Sequence, residues 1–252
     1  MNSATVRNLL VRGMLAGLGA GLLALVVAYF LGEPGVDSAI GFEEAHAPAH
    51  EHEVELVSRS LQSTAGLATG VLVYGVAFGG IAALAFCCAL GRVGRFSPRA
   101  TALLLSGAAL LAVYVVPFLK YPANPPSVGD PDTIGKRTTL YFLMMALSVL
   151  LAIAATILGK RLAPGLGTWY ATVVAVAAFA ALIGVAYALL PVVNEVPADF
   201  PAALLWRFRL SALAIQTTLW GGLGLIFGEL AQRLLDPKPA AVPAARAVPA
   251  GN

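Results

Sequence analysis

Carboxylate and imidazole side chains are concentrated in residues 43–53, whose sequence is EEAHAPAHEHE. Together these groups suit borderline divalent metals such as cobalt, nickel or zinc. His46 and His50 have the spacing of one helix face, but Pro48 between them disfavours a regular helix. We therefore predict a flexible metal-capture segment, and a solvated acidic loop with incidental histidines is the alternative. The candidate ligands are Glu43, Glu44, His46, His50 and His52.

A second polar segment, residues 117–132, could add oxygen ligands. It contains five prolines, which disfavour a helix and indicate a rigid extended path. Its candidate ligands are Asp130 and Asp132. A stiff surface loop whose polar residues only cap helices is the equally favoured alternative.

A third polar segment, residues 191–201, contains the last candidate ligand, Glu195. Arg207 and Arg209 follow it at the start of an apolar run. Because arginine is a poor ligand for a cation, we expect these two side chains to pair with nearby acids such as Glu195 or Asp199.

The elements that must position these segments are long apolar runs. Of the 252 residues, 59% are hydrophobic and 12% are charged, about half the charged fraction of a soluble domain. A membrane-spanning helix needs about 20 apolar residues. Because hydrocarbon offers no hydrogen bonds, the backbone N–H and C=O groups must bond to one another within the helix. We predict an all-α, polytopic transmembrane bundle of about six spans, which could pair as three antiparallel hairpins. The expected spans are residues 13–31, 65–90, 100–119, 139–158, 168–190 and 210–230.

The domain organisation follows from these spans. Residues 1–236 are expected to form one transmembrane domain. Residues 237–252 are rich in proline and alanine, a composition that predicts a disordered tail.

Glycines recur at helical spacing in the first two spans. Gly13, Gly17 and Gly21 lie on one face of the first span, and Gly75 and Gly79 share a face of the second. Small residues four apart allow two membrane helices to approach closely. The pattern therefore predicts a helix–helix contact along these faces.

The charged residues indicate the orientation of the chain. With six spans, ten of the 16 Lys and Arg residues lie on the side of the two termini, whereas 11 of the 13 Asp and Glu residues and all three histidines lie on the other side. The side richer in Lys and Arg marks the cytoplasm. Both termini are thus predicted inside, and the acidic outer surface would concentrate cations.

Several functions are disfavoured by what the sequence lacks. The net charge of +3 is explained by this sidedness rather than by nucleic-acid binding. There is no phosphate-binding Walker A motif, no His-Glu-x-x-His and no serine-elbow motif. We therefore expect no enzyme and no permanently bound cofactor.

Several phrases of the sequence together resemble the CbtA family of predicted cobalt transporters. They are Val11-Arg12-Gly13, Gly32-Glu33-Pro34, Phe42-Glu43-Glu44-Ala45-His46, Ser58 to Gly66, Lys120 to Gly135, Asn194-Glu195-Val196-Pro197 and Trp206-Arg207-Phe208-Arg209. The resemblance implies a bacterial inner-membrane protein linked to cobalt uptake for corrinoid (cobalamin) synthesis. It also implies a small, single-span, histidine-bearing companion subunit similar to CbtB.

Two functions remain open at this stage. The first is a permease or permease subunit for a divalent transition metal, with cobalt as the favoured ion, working with the lipid bilayer and the companion subunit. The second is a non-conducting assembly or scaffold factor for a metal transporter or a corrinoid pathway. The scarcity of polar residues within the spans favours the second.

Overall fold

The computed structural model describes residues 2–46, 57–126 and 128–236, and this part of the chain contains helices and connecting segments but no strand. Asn2 caps the helix that begins at Ser3, and Ser97 caps the helix that begins at Pro98, each through its side-chain oxygen. The helices are α1 (Ser3–Val27), α2 (Glu33–His46), α3 (Arg59–Leu61), α4 (Leu67–Ala89), α5 (Pro98–Ala109), α6 (Val116–Lys120), α7 (Pro131–Leu189) and α8 (Ala202–Leu235).

Wider π-helical turns join some of these helices into longer ones. In the described residues they are Ala28–Gly32, Gln62–Gly66 and Leu110–Val115. Proline lacks an N–H and clashes with the carbonyl four residues earlier, and two of the turns lie just before Pro34 and Pro117. A locally wider turn accommodates each proline, so the helix continues where a break is expected.

The helical membrane bundle predicted from the sequence is confirmed. By length and composition, the described residues provide five helices that could cross a membrane: Ser3–Ala45, Arg59–Ala89, Pro98–Lys120, Asp132–Leu189 and Ala202–Leu235. The 58-residue helix would be about 90 Å long if straight, far more than the roughly 30 Å of hydrocarbon. It therefore accounts for two of the spans expected from the sequence.

The chain reverses within α7 at Gly167. This glycine has a φ of 75°, a conformation that side chains with a Cβ rarely adopt. On either side the two halves of α7 pack against each other, since Met144 and Ile183 share one apolar cluster and Gly159 lies against Ala175. Residues 159–167, expected to be a loop, are instead largely helical.

The predicted glycine contact is confirmed as a close antiparallel seam between α1 and α4. A Cβ added to Gly75 would come within 2.6 Å of the Gly17 carbonyl oxygen, so the two backbones touch directly. The pairs that face one another are Gly13–Gly79, Gly17–Gly75, Gly21–Val71 and, beyond the seam, Glu33–Arg59.

The register of this pair is constant along its whole length, because the residue numbers of every facing pair add to the same value. In this register the π turns Ala28–Gly32 and Gln62–Gly66 overlap, with an offset of two residues. Each helix thus gains its extra residue at the same level, and Glu33 still meets Arg59.

The remaining contacts join α8 to both α1 and α5. Gly224 and Gly228 of α8 lie against Ser106 and Arg99 of α5. Phe86 of α4 meets Phe227 edge-on, with ring centroids 5.1 Å apart. The antiparallel pairs include α1 with α4, α1 with α8, α5 with α8, and the two halves of α7. The α5–α8 pair joins helices distant in sequence, because small residues on α8 fit α5, whereas α7 packs mainly on α6 and its preceding π turn.

Candidate functional site

Helix α2 and the polar segments around Val128 and Phe200 meet at one end of the bundle. This acidic end is formed by residues 33–46, 57–64, 117–137 and 191–209. Ala39 of α2, Val128 and Phe200 form a small buried apolar cluster there, and Phe42 packs edge-on against Phe200. All three segments are therefore held against one another.

Glu195 lies at the centre of the junction between residues 117–137 and 191–201. Its side chain is only 1% exposed, and its carboxylate accepts a hydrogen bond of 2.8 Å from Thr133 Oγ1. The Arg137 guanidinium lies 3.1 Å away and also donates to the Pro122 carbonyl oxygen. A charged pair with its hydrogen bonds satisfied is a stable arrangement at a buried site, so Glu195 serves as a structural anchor in this conformation.

The other polar contacts of this junction also end on backbone oxygens. Tyr121 is 2% exposed and donates to the Pro191 carbonyl oxygen at 2.8 Å. Burial raises the pKa of this phenol, which keeps it a donor. Lys120 Nζ donates to the Tyr187 carbonyl oxygen at 2.8 Å.

A second charged cluster joins α2 to the start of α3. The Arg59 guanidinium pairs with the carboxylates of Glu33 and Asp37, the latter at 2.9 Å. Glu33 is mostly buried and Asp37 is largely exposed. This cluster closes the α1–α4 pair at the acidic end.

The predicted metal ligands fall into different environments. Glu43 and Glu44 are exposed near the end of α2, and the backbone of His46 ends that helix. Asp130 caps α7 by accepting from the Asp132 backbone N–H at 2.9 Å. Asp132 is exposed in the first turn of α7. His50 and His52 lie outside the described residues.

The structure therefore does not gather these candidates into one site. Within residues 2–46, 57–126 and 128–236, no group of three or more His, Cys, Asp or Glu residues could hold a metal ion. Glu195 meets Thr133 and Arg137 rather than the other carboxylates. Sequence reasoning missed this partnership because Arg137 was assigned to a loop, although α7 begins two turns before the expected span.

The expected pairing of Arg207 and Arg209 with Glu195 or Asp199 is wrong. Arg137 already occupies Glu195, because Arg137 lies near the start of α7 and Glu195 follows its end. Arg209 instead donates to the Ala123 carbonyl oxygen at 3.2 Å and to Asn124 Oδ1 at 3.1 Å. The Arg207 guanidinium has no hydrogen bond or ion pair with any residue in the described ranges.

The opposite, basic end holds the one acid found inside an expected span. Glu229 of α8 bridges Arg99 at 2.6 Å and Arg233 at 2.7 Å. Arg12 of α1 donates to the Leu230 carbonyl oxygen at 2.7 Å. Glu229 thus ties α5 and α8 together, and sequence reasoning gave it no role.

Comparison with known proteins gives a family for the chain. No curated protein and no solved structure matches it. The sequence model of one family, described as "Probable cobalt transporter subunit (CbtA)", matches residues 6–232. Because that range covers the bundle and both ends, this multi-pass membrane chain belongs to the CbtA family.

Proposed function

We propose that the chain is a permease subunit that carries a divalent transition metal, with cobalt as the favoured ion, into a bacterial cell for corrinoid synthesis. The observation that carries the proposal is the family match over residues 6–232, which covers the described helices except for the first residues of α1 and the last residues of α8. The ion is the transported substrate, and we propose no enzymatic role and no permanently bound cofactor.

The orientation proposed from the charges puts the acidic end outside the inner membrane and both termini in the cytoplasm. In support, the structure gathers residues 33–46, 117–137 and 191–209 at one end. Glu229 is held between two arginines at the other. Cations would thus be concentrated at the outer end before they enter the bundle.

Metal capture is assigned to the end of α2. Glu43 and Glu44 are exposed there and belong to no ion pair in the described residues, so their carboxylates can accept a cation. We propose that His46, His50 and His52 supply imidazole to the same ion. Asp130, Asp132 and Glu195 are proposed as later oxygen ligands, and Glu195 could act so only after Arg137 leaves it.

Passage through the bundle requires a partner in this proposal. The seam between α1 and α4 is closed by backbone contact, and Thr101, Ser106 and Ser148 are the small polar residues buried within the described spans. A transmembrane ion path normally has charged or polar groups at depth. We propose that a single-span, histidine-bearing companion similar to CbtB completes the path.

Cobalt accumulation in cells tests the capture step. Cells that express the chain and its companion should lose most low-concentration cobalt uptake when Glu43, Glu44 and His46 are replaced by Gln. Asp199→Asn, a charge change at another exposed site of the acidic end, should leave uptake intact. Uptake by the triple variant equal to that of the parent would remove the proposed capture role.

A non-conducting scaffold is the second candidate. It is favoured by the lack of a metal-holding cluster among residues 2–46, 57–126 and 128–236. Purified protein in liposomes with an internal cobalt-sensitive dye separates the two candidates. Cobalt entry with the chain, alone or with its companion, defeats the scaffold; no entry in either preparation defeats the permease.

A further inference from the structure

A groove of about 480 Å³ lies between the α1–α2 helix and the first turns of α8, away from the junction that holds Glu195. Its volume falls in the range of about 300–1,000 Å³ that is usual for small-molecule sites. Phe30 and Leu31 form one wall, and Leu210 and Ala214 form the other. Nearer the acidic end it is lined by Pro34, Gly35, Ser38, Leu204, Arg207 and Ser211.

The polar side chains of this groove differ in whether they already have a hydrogen-bond partner. Ser38 Oγ donates to the Pro34 carbonyl oxygen and Ser211 Oγ to the Leu31 carbonyl oxygen, each at 2.7 Å. Arg207 is the charged residue that lines the groove, and its guanidinium has no hydrogen bond or ion pair in the described residues. Glu33 and Asp37, which lie on the same helix wall, are engaged by Arg59. The groove therefore carries one guanidinium that is not paired with an acid of the described residues.

The groove also lies at the level of a membrane surface. Tyr29 is 48%, Phe30 69% and Trp206 62% exposed, and aromatic side chains of this kind mark the boundary between hydrocarbon and headgroups. From Arg207 the groove runs toward Ala214, along α8 into its apolar span. A cation at the headgroup level thus adjoins an apolar channel that leads into the membrane.

We propose that this groove is a binding site for an anionic glycerophospholipid of the leaflet at the acidic end. Arg207 binds the phosphate, as guanidinium forks do. One acyl chain lies along Leu210 and Ala214, against Phe30 and Leu31. A lipid with a net negative headgroup, such as phosphatidylglycerol, neutralises the charge that the protein leaves unpaired, whereas phosphatidylcholine brings a second cation.

Lipid titration of the detergent-purified protein, followed by native mass spectrometry without added metal, tests this site independently of transport. The parent protein should retain phosphatidylglycerol in preference to phosphatidylcholine. Arg207→Gln should lower that preference about fivefold, the loss expected for roughly one charge-assisted contact at a half-open site. Arg207→Lys should retain part of it.

Lys136→Gln is the matched control, because Lys136 is exposed at the same end, its side chain makes no hydrogen bond or ion pair in the described residues, and it does not line the groove. It should leave the preference unchanged. Ala214→Leu fills the apolar part while keeping Arg207, and should also weaken phosphatidylglycerol binding. Excess inorganic phosphate should not displace the lipid.

The proposal is overturned if Arg207→Gln and Ala214→Leu both retain the parent preference, the outcome expected if residues 47–56 pair with Arg207 instead. It is also overturned if Lys136→Gln lowers the preference as much as Arg207→Gln, which would show a general effect of surface charge. Displacement by inorganic phosphate would show a free-anion site rather than a lipid site. Should Arg207→Gln not fold, Ala214→Leu alone decides.

Discussion

The α1–α4 pair and the α7 hairpin are both antiparallel helix pairs, but different chemistry holds them. In the α1–α4 pair the two backbones touch directly, because Gly17 and Gly75 have no side chains to hold them apart. In α7 the contact is made by large side chains such as Met144 and Ile183. The first pair is part of the main bundle, whereas the second packs mainly on α6 and the π turn before it.

This difference predicts which substitutions destabilise each helix pair. Attraction between membrane helices comes from close packing and from polar contacts, not from a hydrophobic effect. The α1–α4 pair depends on packing along its length and on the Arg59 cluster at the acidic end. The α7 hairpin depends on packing inside itself and on polar contacts at the acidic end, notably Arg137 with Glu195.

The largest expected effect is on the glycine seam. Gly17→Leu would force the backbones of α1 and α4 apart and should destabilise the protein by about 3 kcal/mol or more, the upper range for overpacking. Unfolding in a graded denaturing detergent measures it. Gly184→Leu in α7 is the control, since a Cβ there meets nothing within 4 Å. Equal loss in both variants would contradict the assignment of the seam.

A smaller effect is expected at the attachment of α7. Glu195→Gln leaves the Arg137 guanidinium without a charged partner and should cost about 2–3 kcal/mol, as for hydrogen bonds to charged groups. The double variant with Arg137→Gln should recover part of the loss, because neither charge is then left unpaired. Additive losses in the same unfolding assay would mean that the two side chains act separately.

The sequence predicts the parts of this fold that depend on local composition. Apolar runs predict the membrane spans, and glycine spacing predicts the α1–α4 contact. Pro34 and Pro117 suggest helix ends that the structure does not have, because a π turn before each proline lets the helix continue. The positions of the prolines in the sequence do not show whether the helix will form a π turn or end.

The candidate site is less predictable, because a carboxylate's partner depends on the fold. Glu43 and Glu195 are equivalent as ligands on paper, yet one is exposed and the other is 1% exposed and paired with Arg137. That partner comes from a segment 58 residues away in the chain. Only the tertiary arrangement decides which acid is left for a metal.

Tyr121 should contribute less than Glu195, since its bond is between neutral groups. Tyr121→Phe removes the hydrogen bond to the Pro191 carbonyl oxygen and should cost about 1 kcal/mol. Because burial raises the pKa of this phenol above its ordinary value of 10.0, the folded state keeps the proton longer than the unfolded state. The contribution is complete below pH 10 and is lost as the pH rises through the folded-state pKa. The stability difference between parent and Tyr121→Phe should shrink above pH 10, and a difference that grows there would contradict this.

The smallest effect on stability is expected near the end of α2, where two carboxylates are exposed. Glu43 and Glu44 are exposed and unpaired in the described residues, so replacing both with Gln should change stability by no more than about 0.5 kcal/mol. Cobalt uptake should nevertheless fall at low metal concentration, and the parent's advantage should shrink at high ionic strength because surface charges are screened. Glu195→Gln should show the reverse profile, with low stability and, in the fraction that folds, little salt-dependent change. If the Glu43 and Glu44 double variant loses stability but not uptake, α2 is a structural cap and the capture site must be sought elsewhere.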